Sequence, residues 1–366
     1  MSIVFRLVFV LLFVNTVYIG KIVAQSRTVQ DGLDRIGINV SSMTVENLFS
    51  PIGLDQPNPR FRWKITSVEQ SVRSTAFELE ICKDTSLAGN AAILHRTGKI
   101  VTPVGFYRYN GPELQPYTRY YWRVRSWNQS GFVSSYSAWA SFEMGKMHPG
   151  NWKGSWISDG KSKEEKALPH FRKEFSLNKK IRSARAYIAA GGLFEISLNG
   201  KRISDAWLEP TYTRYDRRLL YCTYDITAEL LNGKNAVGVL LGNGWYNHQS
   251  TAVWNFHETP WRNRPCFVLD IRVEYEDGTV ETIGTDRDWK TKTGPVIFSS
   301  IYTAEHYDAR LDMPGWDKAG FTESSWSNSI YRSAPAPLVT AQALHPIRRV
   351  TELAAVSIRK FNDTVY

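Results

Sequence analysis

Four carboxylates stand close enough along the chain to act in pairs. Asp286 and Asp288 lie two apart, on one side of the chain if it is extended, and Glu305 and Asp308 flank His306 and Tyr307. Paired carboxyl groups can divide acid and base duties between them. Their settings argue for a structural role instead. Asp286-Arg287-Asp288-Trp289 has the composition of a solvated turn entering a strand, and Glu305 to Arg310 reads as a loop in which Arg310 holds a carboxylate bidentately. No catalytic residue is assigned. Gly242-x-Gly244 follows an apparent strand, but residue 247 is Asn and no helix opens after it, so the phosphate-cradling GxGxxG reading fails on context. The three cysteines, Cys82, Cys222 and Cys266, form no CxxC pair, and the seven histidines are scattered without zinc-ligand spacing. One disulfide is open to an exported protein. Cys82 and Cys222 fall in apparent strands, which favours buried free thiols.

Aromatic residues offer a different chemistry. The stretch from Gly242 to Arg264 is crowded with Trp245, Tyr246, Trp254, Phe256, His257 and Trp261. A ring can stack on the apolar face of a sugar while nearby amides and carboxylates bond its hydroxyls. Asp216, Asn243, Trp245, Tyr246, Asn247 and Trp261 form the candidate binding set. Packing against a neighbouring domain is the other use of such a patch. The formal charge is +10. Without residues 1–24, which carry Arg6 and Lys21, it is 10 − 2 = +8. The basic residues are dispersed, with no run of five, so nucleic acid is not an expected partner.

Strands must position these groups. Long amphipathic stretches are nearly absent. Short runs rich in Val, Ile, Tyr, Phe and Trp recur between Gly, Pro, Asn and Asp: Phe61–Ile65, Ala76–Cys82, Tyr120–Trp127, Ala184–Ala189, Phe194–Leu198, Ala236–Leu241 and Phe267–Tyr275. The last run alternates apolar residues with Asp270, Arg272 and Glu274, which predicts one wet face. Asn199-Gly200 and Asp277-Gly278 each sit between two such runs and predict type I′ hairpins. Asp225-Ile226-Thr227 predicts a capped helical turn. At the start, Arg6 precedes the apolar run Leu7–Ile19, and Ala24 offers a small residue before Gln25. The run of 13 residues falls short of the roughly 20 a membrane-spanning helix needs. A cleaved signal peptide over residues 1–24 and a secreted or periplasmic location are expected, with no stable membrane anchor. Boundaries are expected near Gly145–Asn151 and Ser333–Pro337. The reading is all-β: two tandem β-sandwiches over 36–145 and 152–333, then the start of a further β-domain over 338–366.

Two resemblances refine this. In 36–145, Trp63 sits on an early strand and Leu114-x-Pro116-x-Thr118-x-Tyr120 precedes another, the pattern of a tyrosine corner. This stretch resembles a fibronectin type III domain. The second domain carries Ile196–Ile203 (ISLNGKRI), Leu208–Asp216 (LEPTYTRYD), Tyr221–Thr227 (YCTYDIT), Leu241–Tyr246 (LGNGWY), Ile301–Arg310 (IYTAEHYDAR) and Gly315-Trp316-Asp317. In this order they resemble the N-terminal β-sandwich of bacterial α-L-rhamnosidases, a jelly-roll or galactose-binding-like fold. The resemblance implies an enzyme that removes terminal α-L-rhamnose by inversion, one carboxylic acid protonating the leaving oxygen and a second carboxylate activating water. In the family those groups lie on a downstream helical barrel, and the residues after Pro337 resemble the family's next β-domain broken off early. The resemblance therefore makes this chain the non-catalytic front of such an enzyme, serving substrate recognition and scaffolding, with a rhamnose-containing glycoside or polysaccharide as partner. Some members bind carbohydrate through this sandwich with calcium helping to hold rhamnose, which makes calcium the cofactor to test. A free-standing carbohydrate-binding protein and a cell-surface adhesion protein are the alternatives.

Overall fold

The computed structural model describes residues 38–86, 93–251 and 254–362. The expected signal peptide lies outside them. No helix among the described residues is long and apolar enough to cross a membrane. The chain divides into two compact units, Met1–Pro51 with Gln56–Glu143, and Ile52–Asp55 with Met144–Tyr366.

The first unit is built from β1 (Asn39–Val45), β2 (Arg60–Thr66), β3 (Ser74–Cys82), β4 (Ile93–Arg96), β5 (Ile100–Val101), β6 (Phe106–Arg108), β7 (Arg119–Asn128) and β8 (Ala140–Glu143). One sheet runs β1-β2-β6 and the other β4-β3-β7-β8, with β5 beside β3. Alternation places Phe61, Trp63, Leu79, Ile81, Trp122, Val124 and Phe142 in the core. Phe61 meets Trp122 edge-on at 4.9 Å, and Trp63 meets Phe77 at 4.8 Å. Tyr120 forms the corner, but its phenol oxygen accepts from the Gln115 N–H at 2.8 Å, where a tyrosine corner expects the hydroxyl to cap an upstream carbonyl. On the opposite face of this sheet, Glu78 lies across from Arg125 and Glu80 across from Arg123. Each pair is bridged.

The second unit continues with β9 (Ile157–Ser158), β10 (Pro169–Leu177), β11 (Ile181–Gly191), β12 (Leu193–Leu198), β13 (Lys201–Arg202), β14 (Ala206–Trp207), β15 (Arg218–Asp225) and β16 (Gly233–Gly242). Then come β17 (Cys266–Tyr275), β18 (Val280–Gly284), β19 (Lys290–Thr293), β20 (Val296–Ser300), β21 (Ala304–Tyr307), β22 (Ser327–Asn328), β23 (Ile330–Tyr331), β24 (Leu338–Ala341) and β25 (Ile347–Arg348). The sheets run β13-β12-β16-β10-β19-β22 and β23-β9-β17-β11-β15-β24, with β18 on β17. Their facing residues bury one core that includes Phe171, Ile188, Val239, Phe267, Leu269, Ile271 and Trp289. After the Ser333–Pro337 stretch, β24 pairs parallel to β15 and so completes a sheet of this sandwich.

Two local expectations change, at Asp270 and at Asp277-Gly278. The polar face of β17 is not wet at Asp270, which is 1% exposed. Its carboxylate takes Lys146 Nζ at 2.5 Å and the N–H groups of Lys153 and Gly154 at 2.9 and 2.7 Å. An incoming segment, rather than water, satisfies it. Asn199-Gly200 makes the hairpin with both residues at positive φ, 54° and 82°. At Asp277-Gly278 only Gly278 has positive φ, and Gly278 N–H bonds Tyr275 O while Tyr275 N–H bonds Thr279 O. That is a type I turn closed by a glycine bulge, a three-residue loop instead of a two-residue one. The helical turn after Asp225 is a single hydrogen-bonded turn, with Asp225 Oδ1 accepting from Thr227 N–H. Cys82, Cys222 and Cys266 are buried free thiols.

Candidate functional site

At one end of the second sandwich β16 leaves the sheet through Gly242-Asn243-Gly244, and the chain turns back where Asn247 N–H bonds Asn243 O at 3.0 Å. This turn separates the candidate residues by depth. Asn243 and Asn247 are 1% and 0% exposed. Their amides bond inward: Asn247 Nδ2 donates to Asn243 Oδ1 at 3.1 Å and to Lys163 O at 3.0 Å, and Asn243 Nδ2 donates to Ser299 O at 3.3 Å. They brace the loop from beneath. Tyr246 is buried as well, 5.2 Å from the ring of fully buried Tyr215. Burial pushes both phenols well up.

Trp245 and Trp261 remain half-buried on this floor. Trp261 Nε1 donates to Trp245 O at 3.3 Å, and Trp245 Nε1 donates to the Tyr302 hydroxyl at 2.8 Å. Tyr212 meets Trp245 at 5.5 Å, Tyr215 at 5.8 Å and Phe256 at 6.0 Å. The outcome is a buried aromatic floor with an open rim, on which Tyr212 and Tyr302 are exposed. Asp216 lies alongside, half-buried, and Arg214 grips its carboxylate at 2.8 and 3.1 Å and holds it below the usual carboxylate range. The structure thus brings Trp245, Tyr246 and Trp261 together, places Asn243 and Asn247 under them, and ties Asp216 to an arginine. Tyr212 and Tyr302 escaped the sequence reading. Both lie in segments it singled out, but one is about 30 and the other about 60 residues from Trp245, and only folding joins them.

Asp286 and Asp308 are held by neighbouring cations. Asp286 accepts from Lys173 Nζ at 2.5 Å and from Asp288 N–H at 3.0 Å. Arg310 grips Asp308 through Nε and Nη2 at 2.8 and 2.6 Å, the bidentate contact its loop predicts. A further polar cavity of 320 Å³ contains Glu209 and Tyr224. Burial raises the Glu209 carboxyl, to which the Tyr224 hydroxyl donates. The other carboxylates at its edge are engaged, Asp205 with Arg348 and Asp225 with Arg185. Calcium takes six to eight oxygen ligands, carboxylates foremost. Among the described residues no three His, Cys, Asp or Glu side chains converge on a metal-sized site. Beside the rim rings the carboxylate at hand is Asp216, and Arg214 already holds both its oxygens, which disfavours a calcium ion there.

A tandem of sandwiches, the second topped by an aromatic rim, is the class of protein these features define. Residues 40–148 match the Rha78A-like N-terminal immunoglobulin domain, and residues 179–351 match the α-L-rhamnosidase N-terminal domain. The chain carries the N-terminal domains of the α-L-rhamnosidase family. It is 28% identical over 365 residues to an α-L-rhamnosidase of Formosa agariphila, covering 90% of this chain and 37% of that protein. It is 31% identical over 335 residues to an α-L-rhamnosidase of an Alteromonas species, covering 87% and 36%. Among solved structures it resembles the α-L-rhamnosidase from Dictyoglumus thermophilum, with 33% identity, a TM-score of 0.77 and coverage of 84% of this chain and 36% of that one. The chain spans little more than a third of the length of these relatives. The first domain, likened above to type III, matches an immunoglobulin type of the same sandwich architecture.

Proposed function

We propose that this chain is the N-terminal portion of a secreted α-L-rhamnosidase, and that its second sandwich recognises rhamnose-containing glycosides through the aromatic rim around Trp245. The observation that carries this reading is the rim itself. Trp245 packs against the cluster of buried Tyr215 and Tyr246, while Tyr212 and Tyr302 stay open to solvent. Rings fixed from below lose little freedom when a sugar stacks on them. The deoxy sugar rhamnose has a methyl group and an apolar ring face, which suit such a surface. Asp286 and Asp308 are engaged by Lys173 and Arg310, and the role proposed for this chain is substrate recognition and scaffolding.

Tryptophan fluorescence tests the reading. L-rhamnose titrated into the full chain is expected to give a saturable quench, and Trp245→Ala is expected to remove it. A wild-type chain that shows no change with rhamnose, in calcium or in chelator, overturns the proposal. A patch used only to pack against a neighbouring domain would behave in that way.

A further inference from the structure

The outer face of the sheet that holds β10 and β16 is covered. Phe171 of β10 points into the core, so its neighbours His170 and Arg172 point outward. Residues 312–326 lie over them. Arg172 is fully buried; its Nε donates to Trp316 O at 2.7 Å and its Nη2 to Lys318 O at 3.0 Å. Glu174 and Glu323 pair with the same guanidinium. Trp316 stands edge-on to His170 at 4.8 Å and stacks near Trp326 at 6.2 Å. Two glycines make room for these rings. A Cβ at Gly238 would fall 2.7 Å from the Trp316 ring, and one at Gly294 would fall 2.3 Å from His170 Cε1.

What remains beside them is a cleft of 370 Å³ lined by His170, Val296, Tyr307, Asp312, Trp316 and Asp317 among others. His170 closes the floor of the cleft, 5% exposed and with its Nδ1 buried. Tyr307 is 57% exposed, and its hydroxyl donates to Asp312. The lining has two carboxylates and no Lys or Arg, which disfavours an anion. No three ligating side chains converge on a metal-sized site among the described residues. Carboxylate acceptors and ring faces together suit a neutral polyhydroxyl ligand.

We propose that this cleft is a second saccharide site, in which a neutral pyranose ring packs on Tyr307 and bonds to Asp312 and Asp317. It does not depend on the rim around Trp245 binding sugar. The β20–β21 hairpin links the two places: Tyr302 at its tip belongs to the rim, and Tyr307 at its foot lines the cleft.

Saturation-transfer NMR on the full chain carrying Trp245→Ala, which silences the rim, tests this. The probes are methyl α-L-rhamnopyranoside and methyl α-D-glucopyranoside. At least one is expected to give a saturable signal that falls about fivefold or more with Tyr307→Ala and with Asp317→Asn, since a ring stack and a charged hydrogen bond each contribute on that scale. Tyr307→Phe keeps the stacking face and is expected to retain most of the signal, which separates a binding role from a folding one. Absence of a saturable signal with both probes overturns the proposal, as does a signal that Tyr307→Ala leaves unchanged. A signal seen in the wild-type chain and lost with Trp245→Ala alone also overturns it while supporting the rim. A signal that survives Trp245→Ala, in a chain whose tryptophan fluorescence ignores rhamnose, supports the cleft and rejects the rim.

Discussion

At the residue scale, the buried polar side chains carry the information that composition hides. His170 sits on the outer face of a strand, where an unpaired imidazole in a sequence would pass for a solvated one. Burial under Trp316 pushes its imidazole down to about 4. The unfolded chain takes up that proton near pH 6.5. Between pH 6.5 and about 4 the unfolded state therefore holds more protons than the folded state, and stability falls as pH falls through this window. The full loss is on the order of 3 kcal/mol. His170→Gln, which removes the titration, is expected to flatten the acid limb of a urea-midpoint profile over that window. An unchanged limb would show that His170 is not the group responsible. Asp270 teaches the same lesson in reverse. Its alternation with Leu269 and Ile271 is legible, but the lysine and two backbone N–H groups that bury it come from 116 to 124 residues away.

At the scale of elements, strands and their turns were mostly legible because their signals are local. Period-two alternation places Phe267, Leu269, Ile271 and Val273 on one face, and β17 follows it. Asn199-Gly200 carries its own instruction, since both positions need positive φ. Asp277-Gly278 shows where the signal is incomplete: the same dipeptide type serves a two-residue turn or a three-residue loop with a bulge, and strand register chooses between them. Close approach between elements leaves less trace. Gly238 lies in the middle of β16, where glycine normally weakens a strand. The reason is Trp316, whose ring and the adjacent Asp317 Cβ lie 2.7 Å from where a Cβ would stand. Gly238→Ala is expected to destabilise the second unit by about 1–3 kcal/mol through overpacking. Its near-ultraviolet circular dichroism should change as Trp316 is displaced from Trp326. A variant with wild-type midpoint and spectrum would contradict this account.

For the whole molecule, the division between units does not follow chain order. Ile52–Asp55 belongs to the second unit although residues of the first flank it on both sides. Asp55 explains why. Its carboxylate accepts from the Tyr221 hydroxyl at 2.5 Å, Met147 N–H at 2.7 Å and Ala341 N–H at 2.9 Å. It thereby ties β15 to the start of the unit and to β24. Asp55→Ala leaves these donors without their charged acceptor and is expected to cost about 3 kcal/mol. Hydrogen exchange should accelerate in β15 and β24 and stay protected in β3 and β7. Loss of protection in both units alike would refute the assignment of Asp55 to the second.

By itself the sequence determined the all-β class, the order of the two sandwiches, most strand positions and the family, because alternation, turn dipeptides and ordered motifs are properties of neighbouring residues. Tertiary structure decided which aromatic residues face solvent and which lie beneath, since burial depends on partners far along the chain. It moved Asn243 and Asn247 under the rim, added Tyr212 and Tyr302 to it, and opened a cleft beside His170 that no local pattern announces. An aromatic surface assembled from four separate segments has no period to read, and only packing brings its residues together.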